Sequence, residues 1–232
     1  MQIQAVLFDL DNTLTHRDQS VQAYSRHLVN HYQHNIQPDA LDSVINIVRR
    51  IDNGGYPKPE LLTHPSIAAS VAYALQQELS WNTLPDLEEL SEFWFSQFGH
   101  FAVAMQGAER LLQQLKQQEF KLGIISNGGH QTRLNILQGL GFLDYFDVVH
   151  SSEFVGIRKP QPEIFIHTAT CLDLAPQQCL FVGDHPINDI QGAQSAGMSA
   201  LLLQGFHDIP THLTAPKITQ LEQVWQHIEA KI

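Results

Sequence analysis

The chain has little cysteine and lacks any long apolar run. Its 232 residues include two cysteines, Cys171 and Cys179, which are too few for the disulfide framework of a small secreted protein. Cys171 falls in a helical pattern and Cys179 opens an apolar strand, so we expect both thiols to be buried in a reducing cytosol. No apolar stretch approaches the ~20 residues that a membrane-spanning helix needs, so we expect no membrane association.

Basic residues are also scarce. The chain has 13 lysines and arginines against 24 aspartates and glutamates, which gives a formal net charge of −11 at pH 7. Such a surface repels nucleic-acid backbones, so we expect no nucleic-acid partner. It would repel a phosphorylated substrate as well, unless the binding site were locally positive. The first apolar run starts close to the amino terminus and leaves no room for a signal peptide, so we expect a cytoplasmic protein.

The apolar residues that are present suffice for a large core. They make up 43% of the chain, which suits one large domain or a domain with an insertion. An apolar run at 5–8 predicts a buried strand. From about Gln106 onwards predicted strands alternate with helical patterns, which favours a parallel sheet with helices on both faces. The later strands are predicted at 122–126, 148–150, 180–182 and 200–203.

The segment between the first strand and this alternating region has only helical patterns. Val21, Tyr24 and Leu28 recur at helical spacing, and further helical patterns cover 66–79 and 86–98. We therefore predict a doubly wound α/β core that is interrupted by an α-helical insertion. The predicted core comprises residues 1–15 and 105–232, and the predicted insertion comprises residues 16–104.

Two carboxylates follow the first predicted strand directly. Asp9 and Asp11 lie just past residues 5–8, at the end of a strand where open α/β sheets bind their ligands. Like charges this close favour a bound cation or a shared proton, and one acid could attack a substrate while the other moves protons. The alternative is a solvated turn.

Polar residues also follow two later strands. Ser126, Asn127 and two glycines suit an anion-binding loop, because glycines let backbone N–H groups converge on an oxyanion. The alternative is a strand-to-helix turn capped by Ser and Asn. Lys159 stands between a loop and a helix that starts with proline. A fixed ammonium there would offset negative charge in a site, whereas the alternative is a solvated lysine.

The strand predicted at 180–182 repeats the pattern of the first. It ends in Gly183-Asp184, and a second acid, Asp189, follows five residues later. Asp184 could bind a cation from the same sheet edge as Asp9. Asp189 could cap the next helix, hydrogen-bond a nearby ligand group, or do both.

Taken together and in this order, the four strand ends resemble the haloacid dehalogenase superfamily of phosphohydrolases. Asp9-Leu10-Asp11-Asn12-Thr13-Leu14 matches the first motif of that family, Ser126 the second, Lys159 the third, and Gly183-Asp184 through Asp189 the fourth. The helical insertion looks like the C1 cap of subfamily I. The resemblance therefore implies a Rossmann-like core with an inserted cap domain.

The resemblance also implies a role for each matching residue. Asp9 would be the nucleophile and Asp11 the general acid and base. Ser126 and Lys159 would hold the phosphoryl group, with the backbone N–H of Asn127. Mg²⁺ would be held by the carboxylates of Asp9 and Asp184 and by the backbone carbonyl of Asp11. Asp189 would act on Lys159 or on metal-bound water.

The implied function is a Mg²⁺-dependent phosphatase that acts on a small phosphorylated metabolite through an aspartyl-phosphate. Related alternatives are a nucleotidase and a sugar-phosphate or phosphoglycolate phosphatase. A phosphomutase or a non-catalytic phosphate-binding regulator is more distant. Substrate specificity is expected to lie in the cap and in the 126–133 loop, and the oligomeric state stays open.

Overall fold

The computed structural model describes residues 2–229, which divide into two compact units. One unit comprises residues 2–15 and 104–229, and the other is the segment His16–Val103. None of the helices in the described part of the chain is long and apolar enough to cross a membrane.

The first unit is built on a six-stranded parallel sheet. The strand order is β3-β2-β1-β4-β5-β6, and every neighbouring pair is parallel. The predicted doubly wound α/β fold is thus confirmed. The strands are β1 (Ala5–Phe8), β2 (Lys121–Ser126), β3 (Val148–Ser151), β4 (Cys179–Gly183), β5 (Ser199–Leu203) and β6 (Lys217–Ile218).

The central strand β1 is buried along its whole length, as its continuous apolar sequence predicts. Ala5 and Leu7 pack in a core cluster with Ile164 and Phe165 of a helix on one face of the sheet. Because side chains alternate along a strand, the other two β1 residues point to the opposite face. The chain builds β2 and β3 on one side of β1 and then crosses to β4 on the other. Ligands of open α/β sheets bind at such a switch point, beyond the carboxyl ends of the strands.

The helical segments follow the predicted periodicity closely. The second unit holds four helices, and their core includes the buried ring of Tyr24 against Trp94 and Phe98. The helices of this unit are α1 (Arg17–His31), α2 (Leu41–Asp52), α3 (Ile67–Glu78) and α4 (Leu87–Gln97). Those of the first unit are α5 (Ala108–Gln117), α6 (His130–Gly139), α7 (Ser152–Val155), α8 (Pro162–Cys171), α9 (Gly192–Ser195) and α10 (Glu222–Glu229).

Several details differ from the sequence-based expectation. Cys179 is buried, but Cys171 is exposed, so the prediction of two buried thiols is wrong for Cys171. It is the last residue of α8, so no further turn of that helix follows to cover it. The two-residue strand β6 and the four-residue helix α7 are too short to produce a recognisable period.

Candidate active site

The chain turns sharply after β1 and places two carboxylates in the interior of the first unit. The backbone N–H of Asp9 donates to the carbonyl of Val182 in β4 at 2.9 Å. The carbonyl of Leu10 then accepts from the N–H groups of Leu14 and Thr15, which closes the turn. Asp9 and Asp11 are only 2% and 4% exposed. Burial excludes the alternative of a solvated turn.

The buried side chain of Lys159 contacts two acids, Asp9 after β1 and Asp189 after β4. It is 2% exposed, and its Nζ lies 2.6 Å from Asp9 Oδ1 and 2.6 Å from Asp189 Oδ1. The alternative of a solvated lysine is therefore excluded. Its backbone is fixed by the Asn127 side chain, which donates to the Lys159 carbonyl at 3.0 Å and accepts from the Lys159 N–H at 2.9 Å. These two bonds hold the ammonium beside the end of β1.

Asp189 is fully buried and is held from both sides. Its second carboxylate oxygen accepts from the backbone N–H of His185 at 2.9 Å. The N-terminus of the π-helical turn Pro186–Gln191 is capped instead by the His185 side chain, so Asp189 does not act as the cap. A Cβ atom on Gly183 would lie 2.4 Å from Asp189 Oδ2. Glycine is therefore required at the end of β4 for this carboxylate to approach the strand.

Asp184 follows β4 and is 1% exposed. The Nε2 atom of His207 lies 3.2 Å from Asp184 Oδ2, and this contact raises the pKa of His207 above its ordinary value. Burial raises the pKa of Asp184 as well. His207 has no signature in the sequence, because it lies in an irregular segment after β5 and belongs to no motif.

The guanidinium of Arg133 lies in space between Asp11 of the first motif and Ser126 of the second. Its Nε donates to Ser126 Oγ at 3.0 Å, and its Nη2 contacts the Asn127 carbonyl and lies 3.3 Å from Asp11 Oδ2. A Cβ atom on Gly128 would lie 2.4 Å from this Nη2, so glycine makes room for the guanidinium. The 126–133 loop was expected to carry specificity, and Arg133 was one of several plausible substrate contacts there and in the cap that helical phase alone could not place. Its position one turn into α6 is the signal that was available.

The site contains more acids than bases. Four buried carboxylates, those of Asp9, Asp11, Asp184 and Asp189, face the two buried cations of Lys159 and Arg133. Burial raises the pKa of Asp9 to about 7, although the Lys159 ammonium acts in the opposite direction. Burial also raises the pKa of Asp189. For Lys159, burial lowers the pKa, but Asp189 and Asp9 outweigh it and the pKa is raised overall.

This excess of negative charge suits a cation. Within residues 2–229, Asp9 Oδ2 is buried and has no hydrogen-bond partner. Carboxylate oxygens of Asp9, Asp184 and Asp189 lie within 4.8 Å of one another. An oxygen-only donor set with few carboxylates fits Mg²⁺, which prefers oxygen ligands and keeps several waters. The predicted ligand carboxylates Asp9 and Asp184 are thus adjacent, whereas the side chain of Asp11 contacts Arg133.

A family model for haloacid dehalogenase-like hydrolases matches residues 3–197, which is most of the chain. The chain belongs to this family. The resemblance inferred from the four motifs is therefore confirmed. The family includes solved structures that align over nearly the whole length. The hydrolase YfnB from Bacillus subtilis is 22% identical, with a TM-score of 0.72 over 98% of this chain and 99% of that chain, so the fold is shared.

Curated relatives in this family carry phosphatase names. A glyceraldehyde 3-phosphate phosphatase from Methanopyrus kandleri is 40% identical over 87 residues, which cover 38% of this chain and 37% of that enzyme. A glyceraldehyde 3-phosphate phosphatase from Pyrococcus abyssi is 25% identical over 201 residues, or 86% of this chain and 80% of that enzyme. The stronger of these two identities thus spans less than two fifths of the length of the relative.

Proposed function

We propose that this haloacid dehalogenase-like hydrolase is a Mg²⁺-dependent phosphatase that acts on a small soluble phosphate ester. The observation that carries the proposal is the environment of Asp9. One of its carboxylate oxygens is oriented by Lys159, and the other is buried without a hydrogen-bond partner among residues 2–229. In a purely structural ion pair, both oxygens of a buried carboxylate are expected to accept hydrogen bonds.

In the proposed mechanism, Asp9 attacks the phosphorus atom and the ester P–O bond breaks. Asp11 in its acid form gives its proton to the departing alkoxide. Asp11 then takes a proton from water, and the oxygen of that water attacks the phosphorus of the aspartyl-phosphate. This second displacement releases inorganic phosphate and regenerates Asp9.

The other residues position the reactants and balance charge, which is most of the catalytic task in phosphoryl transfer. Lys159 and Ser126, with the backbone N–H of Asn127, are assigned to the phosphoryl oxygens. Asp189 fixes the direction of the Lys159 ammonium. Asp9 and Asp184, with the carbonyl of Asp11, would hold Mg²⁺, which neutralises phosphoryl charge when bound.

The phosphatase names of the relatives support a small phosphorylated metabolite as substrate, and triose phosphates are the first esters to assay. The same panel distinguishes a sugar-phosphate or phosphoglycolate phosphatase from a nucleotidase. A phosphomutase would instead return an isomeric ester without releasing phosphate. A non-catalytic phosphate-binding regulator would turn over none of the esters.

The proposal is tested by turnover of an aryl phosphate with the purified protein and Mg²⁺. Asp9→Asn should lower kcat on the order of 10³-fold or more, because the amide is a far poorer nucleophile. The exposed Asp144 provides a matched control, since Asp144→Asn makes the same change on the surface. EDTA should stop turnover and Mg²⁺ should restore it. Near-normal turnover by Asp9→Asn would sink the proposal.

A further inference from the structure

A second group of metal-ligating side chains lies on one face of the sheet, at its edge. His150 belongs to the edge strand β3, and His167 and Cys171 stand four residues apart on α8, which packs against β3. One ligand atom from each of the three lies within 4.8 Å of the others. We propose that His150, His167 and Cys171 form a binding site for Zn²⁺, separate from the carboxylate site described above.

The distance between the two helical residues supports this proposal. The Cys171 Sγ and His167 Nε2 atoms are 3.7 Å apart. In a tetrahedral zinc site with Zn–S of about 2.3 Å and Zn–N of about 2.0–2.1 Å, a sulfur and a nitrogen lie about 3.6 Å apart. The pair therefore already has the spacing of two ligands on one zinc ion. The spacing of four residues on a helix places both side chains on the same face.

His150 presents the correct tautomer for a ligand. Its Nδ1 is 2.9 Å from the Thr168 hydroxyl, and that hydroxyl donates its only hydrogen to the Ile164 carbonyl at 2.8 Å. The Thr168 oxygen must therefore accept from His150, so Nδ1 carries the hydrogen and Nε2 carries the lone pair. Histidines that bind metals are commonly fixed in this way by a hydrogen bond at the other ring nitrogen.

The three residues also differ in exposure. His150 is 6% exposed and anchored, whereas His167 and Cys171 are exposed and can rotate onto an ion. Three protein ligands leave a fourth position for water.

The ligand types select the metal. Two imidazoles and a thiolate suit Zn²⁺ and other borderline or soft transition metals, whereas Mg²⁺ prefers oxygen. The carboxylate site contains no sulfur, so a thiolate signal distinguishes the two sites. An ion here would join α8, which starts three residues after Lys159, to the edge strand.

The test uses the full chain, reduced and treated with EDTA, then titrated with Co²⁺ as a spectroscopic substitute for Zn²⁺ in excess Mg²⁺. We expect one equivalent of Co²⁺ to produce a thiolate-to-metal charge-transfer band, and Zn²⁺ to remove that band. Cys171→Ser should abolish the band, and His167→Gln should weaken binding at least tenfold. His212→Gln is the matched control, because His212 is exposed and lies outside the group.

Thermal unfolding gives a second readout that is independent of activity. Zn²⁺ should raise the Tm of the wild-type chain in excess Mg²⁺, since a ligand of the folded state stabilises it, and should not raise that of Cys171→Ser. The proposal is overturned if the wild-type chain shows no thiolate band. A band that survives Cys171→Ser would assign the thiolate to Cys179 and overturn it too, as would a stoichiometry of one metal per two chains.

Discussion

Two groups of buried charges, one around Arg17 and one around Lys159, differ in how completely their charges are matched. In the helical unit, the Arg17 guanidinium donates to both carboxylate oxygens of Asp52 at 2.6–3.2 Å. Asp52 accepts a further bond from the N–H of Gly55, and the guanidinium carbon lies 4.3 Å from the centre of the Phe98 ring. One cation meets one anion, and the anion is surrounded by donors.

At the carboxyl ends of the parallel strands in the first unit, one ammonium faces two carboxylates. Lys159 contacts Asp9 and Asp189, and the second oxygen of Asp9 is buried with no hydrogen-bond partner among residues 2–229. Buried charge that lacks a partner costs stability, so this group is a poor stabilising device. The difference teaches that burial of an ion pair does not reveal its role. The matched pair suits a structural role, and the mismatched group suits a site that receives cations and a phosphoryl group.

Among the tests of this comparison, the largest effect is expected from removing the cation of the mismatched group. Lys159→Met should lower kcat/KM for an aryl phosphate by about 10²–10³-fold, as removal of one charge-stabilising donor does in other enzymes. Lys217→Met makes the same change at an exposed residue and should leave kcat/KM within a few-fold. If both variants were equally active, Lys159 would be a structural residue like Arg17.

Disrupting the matched pair of Arg17 and Asp52 should lower the free energy of unfolding rather than the catalytic rate. Arg17→Met leaves Asp52 buried without its cation and should lower the free energy of unfolding by at least about 3 kcal/mol. The double variant Arg17→Met with Asp52→Leu should recover most of that loss. Chemical denaturation measures both, and Arg26→Met, at an exposed position of the same helix, is the control. A double variant as unstable as the single one would contradict this account.

The raised pKa of Asp9 should also affect how the stability of the chain depends on pH. In the folded chain the pKa of Asp9 is raised from 3.8 to about 7, so between these values the folded state binds a proton that the unfolded state has lost. Stability should therefore fall as pH rises through this window in metal-free buffer, by at most about 1.4 kcal/mol per pH unit for one group.

Thermal unfolding with EDTA at several pH values measures this slope. Asp9→Asn removes the titrating group, so its stability should fall less between pH 4 and pH 7 than that of the wild type. Asp144→Asn should keep the wild-type slope. Identical slopes in wild type and Asp9→Asn would show that Asp9 does not hold its proton in the folded chain.

The smallest effect is expected at an exposed ion pair in the helical unit. The Arg49 Nε lies 2.5 Å from Asp18 Oδ1, with both side chains more than 40% exposed. Exposed pairs contribute about 0–1 kcal/mol, because water and salt screen them. A double-mutant cycle of Asp18→Asn and Arg49→Gln should yield a coupling energy below about 1 kcal/mol. A larger coupling would mean that exposure is a poor guide to the strength of pairing here.

The parallel sheet was predictable because its strands are continuous apolar runs separated by helical patterns. The candidate site was predictable for the same reason. Asp9 and Asp184 each follow a strand directly, Ser126 is the last residue of β2, and parallel strands bring their carboxyl ends to one edge. Lys159 was counted as the third of the four strand ends, and its catalytic role came from its match to a family motif. Its proposed role, like that of the other site residues, stays a prediction until the variants are measured.

Other features have no local signature in the sequence. The proximity of His207 to Asp184 and the bonds of Arg133 to Ser126 depend on side-chain directions that no period encodes. The exposure of Cys171 depends on where α8 ends, since Cys171 is its last residue. Segments that are very short or irregular in pattern, such as β6, give no detectable period.

The sequence by itself determined the succession of strands and helices along the chain and the types of side chain at the end of each strand. Both depend on residues that are neighbours along the chain. Only the tertiary structure decided which charges are matched and which histidines meet a cysteine. Such contacts join residues as far apart as Asp9 and Lys159, which are 150 positions apart. Their distances are set by helix packing and side-chain rotamers, which local periodicity does not specify.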